Sequence, residues 1–339
     1  MARPPAAASK DAAPLVAQVF AALADGRFHS GEELARDLGV TRSAVWKAVE
    51  SLRSLGATLH AVRNRGYRLA DSSDPLDATK IRGRLAPEVR AHIACLETAW
   101  SVTSTNTVLL ARPNPAAGSA EVLIAEYQSA GRGRRGRAWL APPGGAVCLS
   151  LSWTFREVPQ DLGALGLVVG VCVLRALKRL DIPDLQLKWP NDLLVRAKKL
   201  GGVLIELRGE SAGPACVVIG IGLNVALGAK ILDAIAQTGV DATDLKSAGL
   251  AEASRNRVIA TILEECVRGL TEFEREALKP FIADWGAADA LAGKAVNVTG
   301  AQGVESGMAR GIDVHGALLL ETPLGVRRFI AGDVSVRPS

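Results

Sequence analysis

The segment best equipped for chemistry is GRGRRGRAW, which runs from Gly131 to Trp139. Its arginines alternate with glycines, and guanidinium groups form charge-assisted hydrogen bonds with carboxylates and phosphates. A glycine-rich loop can order around such ligands and exclude water. The pattern predicts a loop that closes over two anions, a carboxylate and a triphosphate, with Trp139 stacked on a purine or anchoring the loop's end. An exposed RNA-binding patch is the alternative.

Residues 131–136 also match G-x-G-x-x-G, the pattern of dinucleotide-binding turns. In those turns the glycines lead into an apolar helix whose N-terminus holds the pyrophosphate. Here the chain continues as RAWLAPPGG, whose prolines and glycines cannot form that helix. We therefore reject a dinucleotide site of this type.

Three uncharged polar residues, Ser104, Thr105 and Asn106, follow a predicted strand in IACLETAWSV. Hydroxyl and amide groups offer donors and acceptors without charge, which suits a neutral ligand group such as an amide or a urea. The alternative is the N-cap of a helix before VLLARP, and these three residues alone favour it.

Another polar group ends a predicted strand in LQLKWPNDLL and comprises Lys188, Asn191 and Asp192. Carboxylate and amide oxygens can hold Mg²⁺ directly or through water, so Asp192 with Asn191 predicts a magnesium site. Solvated hairpin charges are the alternative. They explain Lys198 well, but they explain the run Trp-Pro-Asn-Asp poorly.

The predicted hairpin returns through KKLGGVLIEL, where Lys199 could direct its ammonium group at a reacting phosphate. The apolar strand CVVIGIGLN then ends at Asn224, whose amide is available to ribose or phosphate. Further strands are predicted over EVLIAEYQSA and the alternating run AVCLSLSWTF, and a buried helix over 162–174.

The first 70 residues carry the signals of three helices and a hairpin. Apolar spacing predicts a helix over 15–23, Ser30 and Glu33 match a capping box for a second, and Thr41 can cap a third. The run ATLHAVRNRGYRLA then predicts two short strands around a tight turn with arginines at its tip. Together these elements predict a winged helix-turn-helix.

This N-terminal segment is basic: residues 1–70 contain ten Lys or Arg against six acidic residues, +4 of the total +5. Such an excess suits phosphate binding, with the third helix in a major groove and the wing at a phosphate or the minor groove. The candidate DNA contacts are Arg42, Ser43, Trp46, Lys47, Arg63 and Arg65. The alternatives are a solvated basic face or a winged helix used for protein docking or dimerisation.

Length and composition limit the number of domains and the classes of protein to which the chain can belong. A chain of 339 residues predicts two or three domains. The longest apolar stretch, 162–174, is shorter than a membrane span, and residues 1–14 have no apolar signal core, so we expect a disordered tail, no membrane segment and a cytoplasmic location. Five separated cysteines predict buried reduced thiols, and four histidines without ligand spacing argue against zinc.

Taken together, five motifs resemble those of biotin protein ligases in order and spacing: STN (104–106), GRGRRGRAW (131–139), KWPNDL (188–193), KLGG (199–202) and GIGLN (220–224). The winged helix is similar to that of the bifunctional members, which double as biotin operon repressors. The segment ARGIDVHGALLLET resembles the family's small C-terminal barrel.

The resemblance implies a multidomain α+β fold whose catalytic body is biotin/lipoate ligase-like. The expected parts are a disordered tail (1–14), a winged helix-turn-helix domain (15–70), a linker (71–77), a central α/β ligase domain with a mixed sheet (78–288) and a small SH3-like β-barrel (289–339).

The resemblance also implies an activity: ATP-dependent formation of biotinyl-5′-AMP and transfer of biotin to a lysine of a biotin carboxyl carrier protein. Lys199, Arg132 and Arg134 would be catalytic, Mg²⁺ would lie near Asp192, and Asp333 and Arg337 are weaker candidates near the nucleotide. Biotin would contact Ser104, Thr105, Asn106, Gln128, Arg132, Gly133, Arg134 and Lys199. ATP would contact Arg132, Arg134, Trp139, Lys188, Asn191 and Asn224.

The partners implied are biotin, the apo carrier domain, operator DNA and a second copy of the chain when the adenylate is bound. Family members fold a second loop over the adenylate, but the corresponding segment 226–250 contains no aromatic residue here, which leaves the retention of the intermediate open. The alternatives are a monofunctional ligase whose winged helix does not bind DNA, a lipoate-type ligase, and a biotin-sensing transcription factor without catalysis.

Overall fold

The protein divides into an N-terminal unit, Met1–Ser72, and a larger unit, Ser73–Ser339. The computed structural model describes residues 14–71, 73–208, 215–250, 254–300, 303–330 and 335–338. The expected disordered tail therefore lies, except for Pro14, outside the described residues.

The N-terminal unit contains three helices and a hairpin, as predicted: α1 Leu15–Leu23, α2 Gly31–Asp37, α3 Arg42–Ser54, β1 Leu59–Val62 and β2 Gly66–Leu69. The capping box is confirmed, because Ser30 Oγ accepts from the Glu33 N–H at 3.0 Å and the Glu33 carboxylate accepts from the Ser30 N–H at 3.3 Å. Thr41 Oγ1 accepts from the Ala44 N–H at 3.2 Å and begins α3. The apolar faces of the helices meet in a small buried core that includes Val19, Phe20, Leu23, Val45, Val49 and Leu52.

The larger unit is built on a seven-stranded mixed sheet of order β3-β4-β5-β9-β8-β7-β6, in which only β3 and β4 run parallel. Its strands are β3 Ile93–Val102, β4 Ala120–Gln128, β5 Ala146–Thr154, β6 Leu185–Lys188, β7 Asp192–Val195, β8 Lys198–Arg208 and β9 Cys216–Asn224. Its helices are α4 Ala78–Arg84, α5 Pro87–Ala91, α6 Thr105–Leu110, α7 Leu165–Lys178, α8 Ala229–Ala236, α9 Arg255–Glu276 and α10 Ile282–Ala288.

The two faces of the sheet are covered differently. On β9, Ile219 and Ile221 join the main core, which also includes α7 and α9. Leu109 of α6 instead packs with Leu123 and Val218 on the opposite face. The predicted buried helix is confirmed as a 3-10 turn followed by α7, whereas all nine residues of the alternating strand β5 are buried because both of its faces are covered. No helix in the described ranges is long and apolar enough to cross a membrane.

The C-terminal part of the larger unit is a five-stranded antiparallel sheet of order β13-β12-β11-β10-β14. Its strands are β10 Ala295–Gly300, β11 Gly303–Ile312, β12 Leu318–Thr322, β13 Gly325–Phe329 and β14 Ser335–Pro338. It is bonded to the central sheet, since the Ala290 N–H donates to Leu187 O at 2.8 Å and Trp189 Nε1 donates to Gly316 O at 3.1 Å.

The start of the larger unit is fixed by a buried ion pair. Arg255, 1% exposed, donates to both carboxylate oxygens of Glu126 at 2.7 and 2.9 Å and also to Asp74 O at 2.9 Å. The Leu76 N–H donates to the same Glu126 carboxylate at 2.7 Å. Residues 73–77, part of the expected linker, are therefore tied to the larger unit.

Candidate functional site

The face of the sheet that carries α6 also forms a cavity of about 660 Å³. The predicted site residues of the larger unit are far apart in sequence, yet thirteen of them line this one cavity: Ser104, Thr105, Asn106, Gln128, Arg132, Gly133, Arg134, Trp139, Lys188, Asn191, Asp192, Lys199 and Asn224. Asp333 lies outside the described residues, and the side chain of Arg337 is not described either.

At one end of the cavity, four uncharged polar residues are joined by hydrogen bonds. Gln128 Oε1 accepts from Thr105 N at 2.8 Å and lies 3.1 Å from Thr105 Oγ1. Ser150 Oγ lies 2.6 Å from Thr105 Oγ1 and donates to Asn106 Oδ1 at 2.5 Å. Ser104 occupies the N-cap position of α6 but makes no side-chain capping bond, so the simple N-cap alternative does not hold for its hydroxyl. We call these four linked residues, 105, 106, 128 and 150, the neutral end.

Glycines in β9 explain how this end fits against the sheet. A Cβ atom added at Gly220 would lie 2.4 Å from Asn106 Oδ1, and one added at Gly222 would lie 2.8 Å from the Trp139 ring. Any side chain at these two positions would displace the residue packed on it. The GIG of the GIGLN motif therefore leaves space for Asn106 and for the indole.

The arginine and glycine segment forms a hairpin that we call the arginine loop, residues 131–139. An isolated bridge joins Arg132 to Ala138, the Gly133 N–H donates to Arg137 O at 2.7 Å, and the Trp139 N–H donates to Gly131 O at 2.9 Å. A single 3-10 turn lies at the tip and no apolar helix follows, which agrees with the rejection of a dinucleotide turn.

Two arginines of this loop are held by polar groups, one on β8 and one in the turn between β6 and β7. Arg132 Nη2 lies 3.1 Å from the Glu206 carboxylate on β8, and Arg134 Nη1 donates to Asn191 Oδ1 at 3.2 Å. The loop therefore spans the cavity from the neutral end to the KWPND segment.

The other end of the cavity, which we call the charged end, contains an ion pair. Lys199 Nζ lies 2.6 Å from Asp192 Oδ1, and both residues are partly exposed to the cavity. Gly202 lies directly against this pair, since a Cβ atom added there would be 3.4 Å from Asp192 Oδ1 and 3.6 Å from Lys199 Nζ. The carboxylate of Asp192 therefore holds the ammonium of Lys199 at the wall of the cavity.

A magnesium ion would find few protein ligands here. No group of three His, Cys, Asp or Glu side chains capable of holding a metal occurs among the described residues. Asp192 offers one carboxylate and Asn191 one amide oxygen. That set fits Mg²⁺ that arrives bound to phosphates and keeps its waters, which needs only one or two carboxylates from the protein.

Asn224 has an unused acceptor. Its Nδ2 donates to Thr243 O at 2.9 Å, while its buried Oδ1 has no hydrogen-bond partner among the described residues. A buried acceptor without a partner is costly, so this oxygen is suited to receive a donor from a bound molecule.

Burial keeps the Cys148 thiol at the neutral end uncharged. Cys148 lines the cavity, and burial raises its pKa to about 12, although Arg255 lowers it somewhat. The group is therefore a neutral thiol at physiological pH. All five cysteines are free. Four of them are buried, whereas the expectation of burial is wrong for Cys95, which is partly exposed.

The sequence interpretation missed several residues of this site. Ser150 was seen only as part of an alternating strand, and Glu206 only as part of VLIEL. Ile235 of α8, Thr238 and residues 239–242 also line the cavity. They lie within 226–250, the segment that the resemblance indicated as a second loop, but none of them was predicted individually. The sequence offered one signal for Ser150 and Glu206: each is a polar residue between apolar neighbours in a strand, on the side facing away from the main core.

In the N-terminal unit, Arg42, Ser43 and Lys47 are exposed on α3, and Trp46 is 53% exposed. Arg42 pairs with Glu32 at 3.0 Å. The wing residue Arg63 is exposed, and the guanidinium of Arg65 lies 4.3 Å from the centre of the Phe28 ring, a cation–π distance. These residues form a basic and aromatic surface on this unit.

Comparisons with known proteins agree with this architecture. Three family models match: HTH domain over 17–68, biotin/lipoate A/B protein ligase family over 99–224, and biotin protein ligase C terminal domain over 292–337.

Relatives that are aligned over nearly their own full length identify the family more closely. The bifunctional ligase/repressor BirA of Salmonella typhimurium is 36% identical over 93% of this chain and 95% of its own length. The biotin--[acetyl-CoA-carboxylase] ligase of Mycobacterium tuberculosis is 38% identical over 77% of this chain and 95% of its own. The biotin protein ligase of Aquifex aeolicus, solved with biotin and ATP, aligns with a TM-score of 0.60 at 29% identity over 73% of this chain and 99% of that one.

The chain belongs to the biotin protein ligase family, with the domain set of its bifunctional ligase/repressor members. The predicted fold class is confirmed: an N-terminal helix-turn-helix, a central ligase domain with a mixed sheet, and a C-terminal β domain.

Proposed function

We propose that this protein activates biotin with ATP as biotinyl-5′-AMP, transfers biotin to a lysine of a biotin carboxyl carrier protein, and represses transcription through its N-terminal unit. The observation that carries the ligase activity is the single cavity that brings together the neutral end, the arginine loop and Lys199. Two relatives named biotin--[acetyl-CoA-carboxylase] ligase support the choice of biotin over lipoate.

Biotin has a neutral ureido ring and a carboxylate, and the cavity has matching ends. The ureido group would meet Ser104, Thr105, Asn106 and Gln128, which offer hydrogen bonds without charge. The carboxylate would lie against Arg132, Gly133 and Arg134 and point towards Lys199. ATP would occupy the charged end, with Trp139 against the base and Lys188, Asn191 and Asn224 at the sugar and phosphates.

The chemistry requires in-line approach and charge neutralisation. A biotin carboxylate oxygen attacks the α-phosphorus, the bond from that phosphorus to the oxygen bridging to the β-phosphate breaks, and pyrophosphate leaves. Lys199, Arg132 and Arg134 are the catalytic residues, since their fixed positive charges stabilise the negative charge that develops on the α-phosphate. The carrier lysine then attacks the carbonyl carbon of the mixed anhydride and AMP leaves.

Mg²⁺ would be held by Asp192, with help from Asn191. When bound it would neutralise phosphate oxygens and assist the departure of pyrophosphate. Because Asp192 also holds Lys199, its carboxylate would position the ammonium beside the same phosphates.

The winged helix-turn-helix match supports operator binding, with Arg42, Ser43, Trp46 and Lys47 facing the major groove and Arg63 and Arg65 reaching the backbone or the minor groove. We further propose a cytoplasmic enzyme that dimerises when the adenylate is bound. This state would bind two half-sites of an operator.

The ligase proposal is tested by incubating the protein with ATP, Mg²⁺, biotin and an apo carrier domain and measuring the carrier's mass. We expect a single addition of one biotinyl group that requires ATP. A parallel incubation with lipoate separates the rival ligase, because modification by lipoate and not by biotin would contradict the proposal. Pyrophosphate exchange into ATP excludes a sensor without catalysis.

The DNA proposal is tested with a duplex taken from upstream of the protein's own coding region. Arg63→Ala should weaken binding and reduce the salt slope of log K by about one, because one of the proposed contacts of the wing with the DNA backbone is lost. Arg36→Ala is the control, since Arg36 is exposed on α2, outside the proposed surface. Salt-independent or absent binding by the wild type would favour the monofunctional ligase.

A further inference from the structure

Glu206 has no role in the function proposed above, yet it contacts both the neutral end of the cavity and the arginine loop. It lies on β8 and its side chain is 24% exposed. Its Oε2 accepts from Asn106 Nδ2 at 2.7 Å, and Arg132 Nη2 lies 3.1 Å from the same carboxylate. One carboxylate therefore joins the neutral end to the arginine loop.

We propose that Glu206 is a positioning residue for biotin, which orients the amide of Asn106 and tethers Arg132 of the arginine loop. The proposal rests on the function proposed above. Glu206 does not line the cavity, so it acts through these two neighbours.

The orientation of Asn106 depends on Glu206 for a simple reason. The Ser150 hydroxyl can either donate or accept, so by itself it does not distinguish the amide oxygen of Asn106 from the amide nitrogen. A carboxylate accepts only, and it therefore directs Nδ2 towards β8 and Oδ1 towards Ser150. The second N–H of the amide is then available to an acceptor such as a ureido oxygen.

The contact with Arg132 is of a different kind. Arg132 is 42% exposed, and ion pairs at such positions are weak and exchangeable. Glu206 therefore holds the loop near the neutral end without binding it so tightly that a ligand carboxylate cannot compete. An acidic ligand whose other end is uncharged meets both groups that Glu206 has arranged.

The test compares Glu206→Ala and Glu206→Gln with the wild type by direct titration of biotin and by steady-state kinetics. We expect Glu206→Ala to weaken biotin binding and raise KM for biotin about tenfold or more, with KM for ATP changed less than about threefold. Glu206→Gln keeps an acceptor for Asn106 and should recover part of that loss. A purely structural residue would instead lower the melting temperature or the active fraction with KM for biotin unchanged.

Glu121→Gln is the matched control. Glu121 is also 24% exposed, also on a strand of the same sheet and also paired with an arginine, Arg112 at 3.7 Å, but it does not line the cavity. We expect wild-type biotin affinity from it. An equal loss in both variants would overturn the assignment.

A second measurement needs no ligand. Trypsin cleaves after the arginines of the loop, and the cleavage rate at 132–137 reports how firmly the loop is held. Both Glu206 variants should be cut severalfold faster than the wild type and Glu121→Gln should not. Unchanged cleavage together with unchanged biotin affinity would refute the proposal. Failure of the wild type to bind biotin while the cleavage difference persists would refute the proposed function, and with it biotin as the ligand, but would leave Glu206 as the tether of the arginine loop.

Discussion

The two ends of the cavity satisfy their polar groups in different ways. At the neutral end Thr105, Asn106, Gln128 and Ser150 bond mainly to one another, so their positions are set by short bonds among buried side chains. At the charged end Lys199 pairs with Asp192, and Asn224 Oδ1 has no partner in the described part of the chain. The neutral end is organised before any ligand arrives, whereas at the charged end a ligand that engages Lys199 or Asp192 has to compete with the ion pair between them.

The largest effect should come from Lys199→Ala. We expect kcat for adenylation, measured by pyrophosphate exchange, to fall about 10²–10³-fold because one fixed positive charge at the reacting phosphate is lost. Lys198→Ala is the matched control, since this neighbour is exposed and pairs with Asp241 at 3.6 Å. Melting temperature and DNA binding should be unchanged in both, and wild-type turnover by Lys199→Ala would refute its catalytic role.

Substituting a glycine of β9 by alanine tests each end of the cavity separately, because each substitution adds one methyl group next to a different site residue. Gly220→Ala would press on Asn106 and should raise KM for biotin about tenfold. Gly222→Ala would press on the Trp139 ring and should raise KM for ATP about fivefold, because stacking of the indole is impaired.

Gly163→Ala serves as the control for these glycines, because nothing lies within 4 Å of the added carbon. It should leave both KM values at wild-type levels. If Gly220→Ala and Gly222→Ala affected both substrates equally, the division of the cavity into two ends would not hold.

The smallest effect concerns the thiols. Cys148 has a pKa raised by burial to about 12, and Cys95 has a pKa raised to about 11 by burial and by Glu97. Because a raised pKa leaves little thiolate at pH 8, alkylation by iodoacetamide should be slow for both and should accelerate as the pH rises, with Cys95 first because it is less buried. Rapid labelling of Cys148 at pH 8, followed by mass spectrometry, would contradict the burial of this thiol.

Many of the helices and strands were predictable because they depend on residues close together in sequence. The capping box of Ser30 and Glu33, the cap at Thr41 and the turn before Gly66 act within a few residues, and the structure has them as expected. The strand β5 was harder. Its alternating pattern predicted a strand, but α6 and the cavity cover the side that carries its serines, and only the packing of distant elements decides this.

The candidate site divides in the same way. Motif residues such as Lys199 and Asn224 were recognisable from their type and spacing, and they line the predicted cavity. The ion pairs that these residues form were not recognisable. Asp192 was considered as a metal ligand and Lys199 as a phosphate ligand, with no sign in the sequence that the two lie 2.6 Å apart. Glu206 has no motif of its own.

By itself, the sequence determined the helices, the strands, the order of the motifs and the family, because these depend on residue type, short-range spacing and similarity to known chains. The tertiary structure decided which motifs share a cavity and which side chains neutralise one another. The 7-stranded sheet places residues more than 70 positions apart, such as Arg132 and Glu206, within hydrogen-bonding distance. Contacts of that range depend on sheet order and register, which no local pattern encodes.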